Sequence, residues 1–222
     1  DAKMSEISDS SSVMVLGYHH VHALQILAEV RSDLGVTTIG VAKNSTDPII
    51  QSRYCDVPVV LESKKRRGKR KEIKEKIHQI DPDIVVPVGY ESVIDLDVIR
   101  EGIPKTTEIR LPPSQSIYTS LDKSRTAEVA RTNGIDVPTE YLRISEGDIT
   151  DLRDQVNELP FPVFLKARRE SGRNITSRVN TSDEFEAVAS ELLGDEHLKG
   201  EEIIVQEYIA GDGYTYGCGF LF

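Results

Sequence analysis

The run VFLKARRESGRNI, Val163 to Ile175, starts apolar and then sets four cationic side chains, Lys166, Arg168, Arg169 and Arg173, within eight residues. Pro162 to Lys166 reads as a strand, and Ser171-Gly172 as part of the loop that follows it. A lysine held at a strand exit, beside a loop whose backbone N–H groups are free to turn, suits a phosphate. The chain is acidic, with a formal net charge of -10 at pH 7, so an anion site on it must be a local concentration of positive charge. Each feature also has a plain reading. Strand-end lysines often snorkel from an edge, and Ser-Gly pairs are mostly turns.

Two further segments give that stretch its meaning. Upstream, Ser120 or Asp122 is placed to cap a helix running to Asn133, with Gly134 as its stop and Pro138 beyond. Lys123 then sits in the first turn, where the positive end of the helix dipole adds to its charge. Downstream, Ile203 to Ile209, IIVQEYI, is an apolar strand with a polar pair near its exit, followed by Ala210-Gly211-Asp212-Gly213. Backbone groups at such an exit suit a purine edge, and a nearby carboxylate suits ribose hydroxyls. A Glu in that position also caps a strand edge. Between these segments the pattern predicts a strand over Thr139 to Ile144, an amphipathic helix over Asp148 to Leu159, and a helix over Ser182 to Leu193 capped by Ser182. Glu201 to Ile209 reads as a strand, and Tyr214 to Phe222 as another.

The first half alternates strand and helix. Val13 to Leu16 is a short apolar run ending at Gly17; Ala23, Leu24, Leu27, Ala28 and Leu34 recur at helical spacing until Gly35. Val36 to Val41 and Val57 to Leu61 read as strands, Ile73, Ile77 and Ile80 mark one face of a helix, and Ile84 to Val88 reads as a strand buried on both faces. This alternation predicts a Rossmann-like parallel sheet over 13–113. Pro112-Pro113-Ser114 marks the break, after which 114–222 forms a smaller α+β portion, and residues 1–12 read as a disordered leader. Ligand contacts in the first domain are expected in the loops at the carboxyl ends of its strands, which places His19, His20, Tyr90 and Glu91 as substrate-side candidates. For Tyr90 and Glu91 a plain surface loop competes with that role. His19, His20 and His22 lack the spacing and the carboxylate of a metal site, so no metal ligand is assigned.

Composition bounds the rest. With 222 residues, 38% of them apolar and 29% charged, the chain is sized for one large or two modest domains. Cys55 and Cys218 are the only cysteines, too few for a disulfide framework, which fits a reducing cytoplasm. No run approaches a bilayer span, so no membrane association is expected. The most basic run, Lys64 to Lys71, has no interleaved aromatic residues for base stacking. It reads as a solvated loop leading into a helix, partly offset by Glu72 and Glu75, and nucleic acid is not an expected partner. A homodimer is compatible with the composition.

LDKSRTAEVARTNGIDVPT (121–139), FPVFLKARRESGRNI (161–175) and IIVQEYIAGDGYT (203–215), in that order and spacing, resemble the ATP-grasp superfamily. HALQILAEVRSDLGV (22–36), SRYCDVPVV (52–60) and DIVVPVGYES (83–92) resemble the carboxylate-amine ligase and carbamoyl-phosphate-synthase type. The resemblance implies a pre-ATP-grasp Rossmann-like domain followed by the lid portion of the grasp. It implies ATP with Mg2+, and small-molecule carboxylate and amine substrates. A carboxylate would attack the terminal phosphate of ATP, and an amine or similar nucleophile would open the acyl phosphate. Carried onto this chain, Lys123 and Lys166 would meet phosphate or the region near adenine, and Ser171 and Gly172 the phosphate flap. Glu207, Tyr208 and Ile209 would form the adenine hinge, with Asp212 on the ribose.

Two departures accompany the resemblance. The flap holds Arg168, Arg169, Glu170 and Arg173 where the family has more glycine, and those arginines serve either substrate phosphate or acidic neighbours. The acidic magnesium ligands, an Asn and an Arg of the grasp's second half are expected beyond residue 222, so the sequence reads as an N-terminal fragment, inactive alone. A non-catalytic nucleotide or small-molecule binding module is the competing function. A dinucleotide oxidoreductase is weaker, because Gly17 lies outside any G-x-G-x-x-G pattern.

Overall fold

The computed structural model describes residues 11–18, 21–147, 151–169, 175–198 and 200–211. The chain divides into two compact units, Asp1–Ser114 and Gln115–Phe222. Among the described residues no helix is long and apolar enough to cross a membrane.

In the first unit, β1 (Ser12–Leu16) leads into α1 (Val21–Leu34), β2 (Thr37–Ala42), the short α2 (Pro48–Gln51), β3 (Val57–Val60), α3 (Arg66–Ile80), β4 (Ile84–Pro87), α4 (Tyr90–Ile99) and β5 (Glu108–Ile109). All pairings are parallel, in the order β3-β2-β1-β4-β5. The chain therefore starts in the middle, builds outward to β3, and crosses back to lay β4 on the other side of β1. Such a reversal opens a crevice at the carboxyl ends of β1 and β4. Met14 and Leu16 on β1 pack with Ile73 and Ile77 of α3, while Val13 and Val15 on its opposite face pack with Ala23 and Leu27 of α1. Both faces of the sheet are thus covered, as a parallel sheet requires. Gly17 is needed where β1 ends, because a Cβ there would fall 2.4 Å from the Ala23 Cβ.

Several expectations change here. The basic run is a solvated loop only at Lys64 and Lys65: α3 already begins at Arg66, and Lys69 is buried while Arg66, Arg67 and Lys71 stay exposed. The partners of Arg66, Lys69 and Arg70 lie on α4, 22 to 29 residues away, beyond the reach of any local pattern. Glu75 pairs with Lys71 of the run at 3.6 Å, as expected, whereas Glu72 accepts hydrogen bonds from the Glu62 and Ser63 N–H groups. Tyr90 and Glu91 are not in a loop but open α4, with Gly89 as the residue before it. On β4 only Val85 is fully buried, and Ile84, Val86 and Pro87 are half-buried.

In the second unit, α5 (Ser114–Ser120), whose first residue closes the preceding unit, and α6 (Lys123–Thr132) precede β6 (Glu140–Ile144). Then come α7 (Arg153–Asn157), β7 (Val163–Ala167), β8 (Thr176–Val179), α8 (Ser182–Leu193) and β9 (Ile203–Glu207). Its sheet is antiparallel, in the order β6-β9-β7-β8. Val163, Leu165, Ala167, Ile203 and Val205 point to one face and pack on Phe185, Ala189 and Leu193 of α8. The helix foreseen over 148–159 is only α7 among the described residues, since Val156 is its one buried side chain and Pro160 follows closely. Thr181, not Ser182, precedes α8, and Glu184 reaches back to the Asn180 N–H. The strand foreseen over 214–222 lies outside the described residues.

Candidate functional site

The period of a strand places Lys166. On β7 the buried residues Val163, Leu165 and Ala167 alternate with half-buried Phe164 and Lys166, so the lysine stands on the face opposite the core. Register puts Lys166 across from Ile204 on β9, and Phe164 across from Gln206, which is itself opposite Glu140 on β6. A β-bulge between Glu140 and Leu142 turns Glu140 to this face while Leu142 joins the core.

α6 closes the other side. Asp122 caps it, its carboxylate accepting from the Ser124 and Arg125 N–H groups at 3.2 and 3.3 Å. Lys123, its first residue, donates from Nζ to the Ala167 carbonyl at 3.0 Å, and its backbone N–H to the Arg168 carbonyl at 3.1 Å. The helix start is thereby tied to the exit of β7, which brings the two lysines together. A cavity of about 280 Å³ results, lined by Lys123, Lys166, Glu140, Gln206, Ile204 and Ala130 among others. Burial pushes the Lys166 ammonium below its ordinary value, the Lys123 charge adds to this, and Glu140 opposes it. Glu140 accepts from Ser124 Oγ at 2.7 Å and from Arg143. The cavity lining thus carries two cations and one carboxylate beside the apolar side chains of Ile204, Ala130 and Val137.

The remaining expected residues fall as follows. Glu207 ends β9 with its carboxylate accepting from the Thr139 N–H at 3.0 Å and its own N–H donating to the Thr139 carbonyl at 2.8 Å, which caps the edge of β6. Tyr208 lies under the Arg178 guanidinium, 4.4 Å from the ring centre, and Ile209 is exposed. Ser171, Gly172, Asp212, His19 and His20 lie outside the described residues. Arg168 and Arg169 serve acidic neighbours: both pair with Asp122 at 2.9 Å, and Arg168 also with Glu202. Tyr90 and Glu91 belong to the first unit, where Glu91 accepts from Lys43 and Lys69. Glu140 was not singled out from the sequence, because period-2 reading puts it on the same face as Leu142; only the bulge reverses that.

No protein-family model matches the chain. A curated relative, D-alanine–D-alanine ligase from Aquifex aeolicus (strain VF5), is 29% identical over 149 residues, which are 66% of this chain and 48% of that protein. Among solved structures, carboxyaminoimidazole ribonucleotide synthase from Aspergillus clavatus, complexed with ATP, matches with a TM-score of 0.63 at 22% identity. The match covers 90% of this chain and 48% of that one. The biotin carboxylase domain of Hydrogenobacter thermophilus 2-oxoglutarate carboxylase, with MgADP, ADP and bicarbonate, matches at 0.68 and 17% identity, over 90% and 44%. L-amino acid ligase from Bacillus licheniformis matches at 0.64 and 14%, over 91% and 45%. The chain shares the fold of these three solved structures and is similar in sequence to the ligase over about two thirds of its own length. The chain spans about half the length of the curated relative it matches.

Proposed function

We propose that this chain belongs to the ATP-grasp superfamily and is the nucleotide-holding part of an ATP-dependent ligase that activates a carboxylate as an acyl phosphate for attack by an amine or similar nucleophile. Residues 13–113 would be the pre-ATP-grasp domain and 114–222 the lid portion, working in the cytoplasm. The observation that carries the reading is the pairing of Lys123 and Lys166 on one cavity with an apolar wall at Ile204 and Ala130. Two ammonium groups forced together by the fold repel one another and are relieved by a polyanion, and the apolar wall suits a base. Positioning and charge neutralisation are what phosphoryl transfer asks of a protein.

Glu207, Tyr208 and Ile209 would hold the purine through backbone groups and the exposed Ile209 side chain, since the Glu207 carboxylate is already engaged. Ser171, Gly172 and Asp212 would complete the phosphate and ribose contacts. The described residues do not fit a magnesium site. Asp122 is committed to Arg168 and Arg169, and Glu140 to Ser124 and Arg143. Mg2+ ligands would come from elsewhere in the enzyme.

Thermal-shift titration of the chain with MgATP and with NAD tests the reading. Stabilisation by ATP is expected, and Lys166→Ala is expected to weaken it roughly 10- to 100-fold, the worth of a charge-assisted hydrogen bond. Lys65→Ala, at the exposed start of the basic run, should leave it unchanged. A response to NAD alone, or equal effects of the two substitutions, would overturn the assignment.

A further inference from the structure

The first unit carries a second cluster of charge, at the crevice opened by the strand reversal. Tyr18 follows β1, Lys43 follows β2 directly, Glu91 lies in the first turn of α4 beyond β4, and α3 contributes Arg66, Lys69 and Arg70. Asp95, fully buried on α4, is paired with Lys69 at 2.9 Å, Arg70 at 2.7 Å and Arg66 at 3.5 Å. Four cations, Lys43, Arg66, Lys69 and Arg70, thus face two carboxylates, Glu91 and Asp95, an excess of two positive charges in a chain whose net charge is -10.

Glu91 splits its oxygens, Oε1 to Lys69 and Oε2 to Lys43. Both ammonium groups lie over the Tyr18 ring, at 4.6 and 5.0 Å from its centre. The Tyr18 hydroxyl is buried beside Asp95. Lys69 is 5% exposed and Glu91 39%. A buried ammonium needs an anion beside it, and Lys69 keeps Asp95 at 2.9 Å, so the half-exposed glutamate is free to swing into solvent when another anion takes its place.

We propose that this crevice is a subsite for the carboxylate of a small molecule, with Glu91 as its resident stand-in. Two oxygens bridging two ammonium groups is the bite of a carboxylate. The subsite rests on the first unit alone; that its ligand is a substrate rests on the ligase reading above.

The test is titration of the 222-residue chain with acetate and with inorganic phosphate, read by NMR at the Tyr18 ring and the Lys43 side chain. Glu91→Gln removes the competing charge and should tighten acetate at least 10-fold over the unsubstituted chain. Lys43→Met, at a partly exposed position, should abolish the saturable shift without lowering the melting temperature. No saturable acetate shift in Glu91→Gln, an unchanged shift in Lys43→Met, or a stronger response to phosphate than to acetate would each overturn the subsite. An acetate response without any ATP response would sink the ligase reading and leave the subsite standing. The converse would sink only the subsite.

Discussion

Asp122 carries more contacts than any other carboxylate of the second unit described above: two helix N–H groups and the guanidinium groups of Arg168 and Arg169 meet on its two oxygens. Burial alone would raise its pKa. Hydrogen bonds from Arg168, the Arg125 N–H and Arg169 outweigh that and hold it at about 2. An unfolded Asp titrates near ~3.9, so the folded state binds this proton less readily than the unfolded one. The resulting stability is fully present above about pH 4 and is lost as pH falls toward 2. Asn caps a helix about as well as Asp, so Asp122→Asn isolates the arginine contacts. It should cost about 3 kcal/mol at neutral pH, and the gap to the unsubstituted chain should close between pH 4 and 2. Urea unfolding across that range measures it; a gap independent of pH would remove Asp122 from this role.

At the scale of elements, what was legible depended on how local the determinants are. The end of α1 at Gly35, with φ 66°, and the Asp122 cap of α6 are written within a few residues of the feature they set. Lys123 and Lys166 were likewise readable, one from a helix start and one from a strand exit. β8 was not: it is a four-residue edge strand, Thr-Ser-Arg-Val, with only Val179 buried, so its pairing with β7 and not its composition makes it a strand. The start of α3 was missed for a related reason, since Lys69 and Arg70 are neutralised by carboxylates on α4. Glu140 depended on a bulge, and Tyr18, Lys43 and Lys69 on the return of β4 beside β1. Gly89 is the local device that sets the start of α4, with φ 86° and ψ 162°, a region open essentially to glycine alone. Gly89→Ala should therefore lose about 1–3 kcal/mol and displace Glu91 from Lys43 and Lys69. Thermal melting combined with the NMR signals of those lysines checks both; an unchanged melt would show that another residue fixes the turn.

The whole molecule is built on separate cores. The buried clusters of the first unit draw only on residues up to 111, and that of the second only on residues from 141 onward. The proposed nucleotide cavity and the proposed carboxylate subsite therefore depend on different apolar packing. Phe185 on α8 is the largest side chain fully buried in the second core, beneath the face of the sheet opposite Lys166. Phe185→Ala should cost about 3–5 kcal/mol, the transfer of the ring plus the cavity it leaves. A loss of that size is a large fraction of the stability of a domain of this size, and it falls on the sheet that aligns Lys166 with Gln206 and Glu140. ATP-induced stabilisation should disappear in this variant, while the acetate response at Tyr18 and Lys43 persists. Unfolding followed in parallel by NMR signals from Leu165 and from Leu27 should show the Leu165 signal lost at lower urea and the Leu27 signal unmoved. Loss of both signals at the same denaturant concentration would mean that the two cores fold as one cooperative body, and the two sites would then share a single stability.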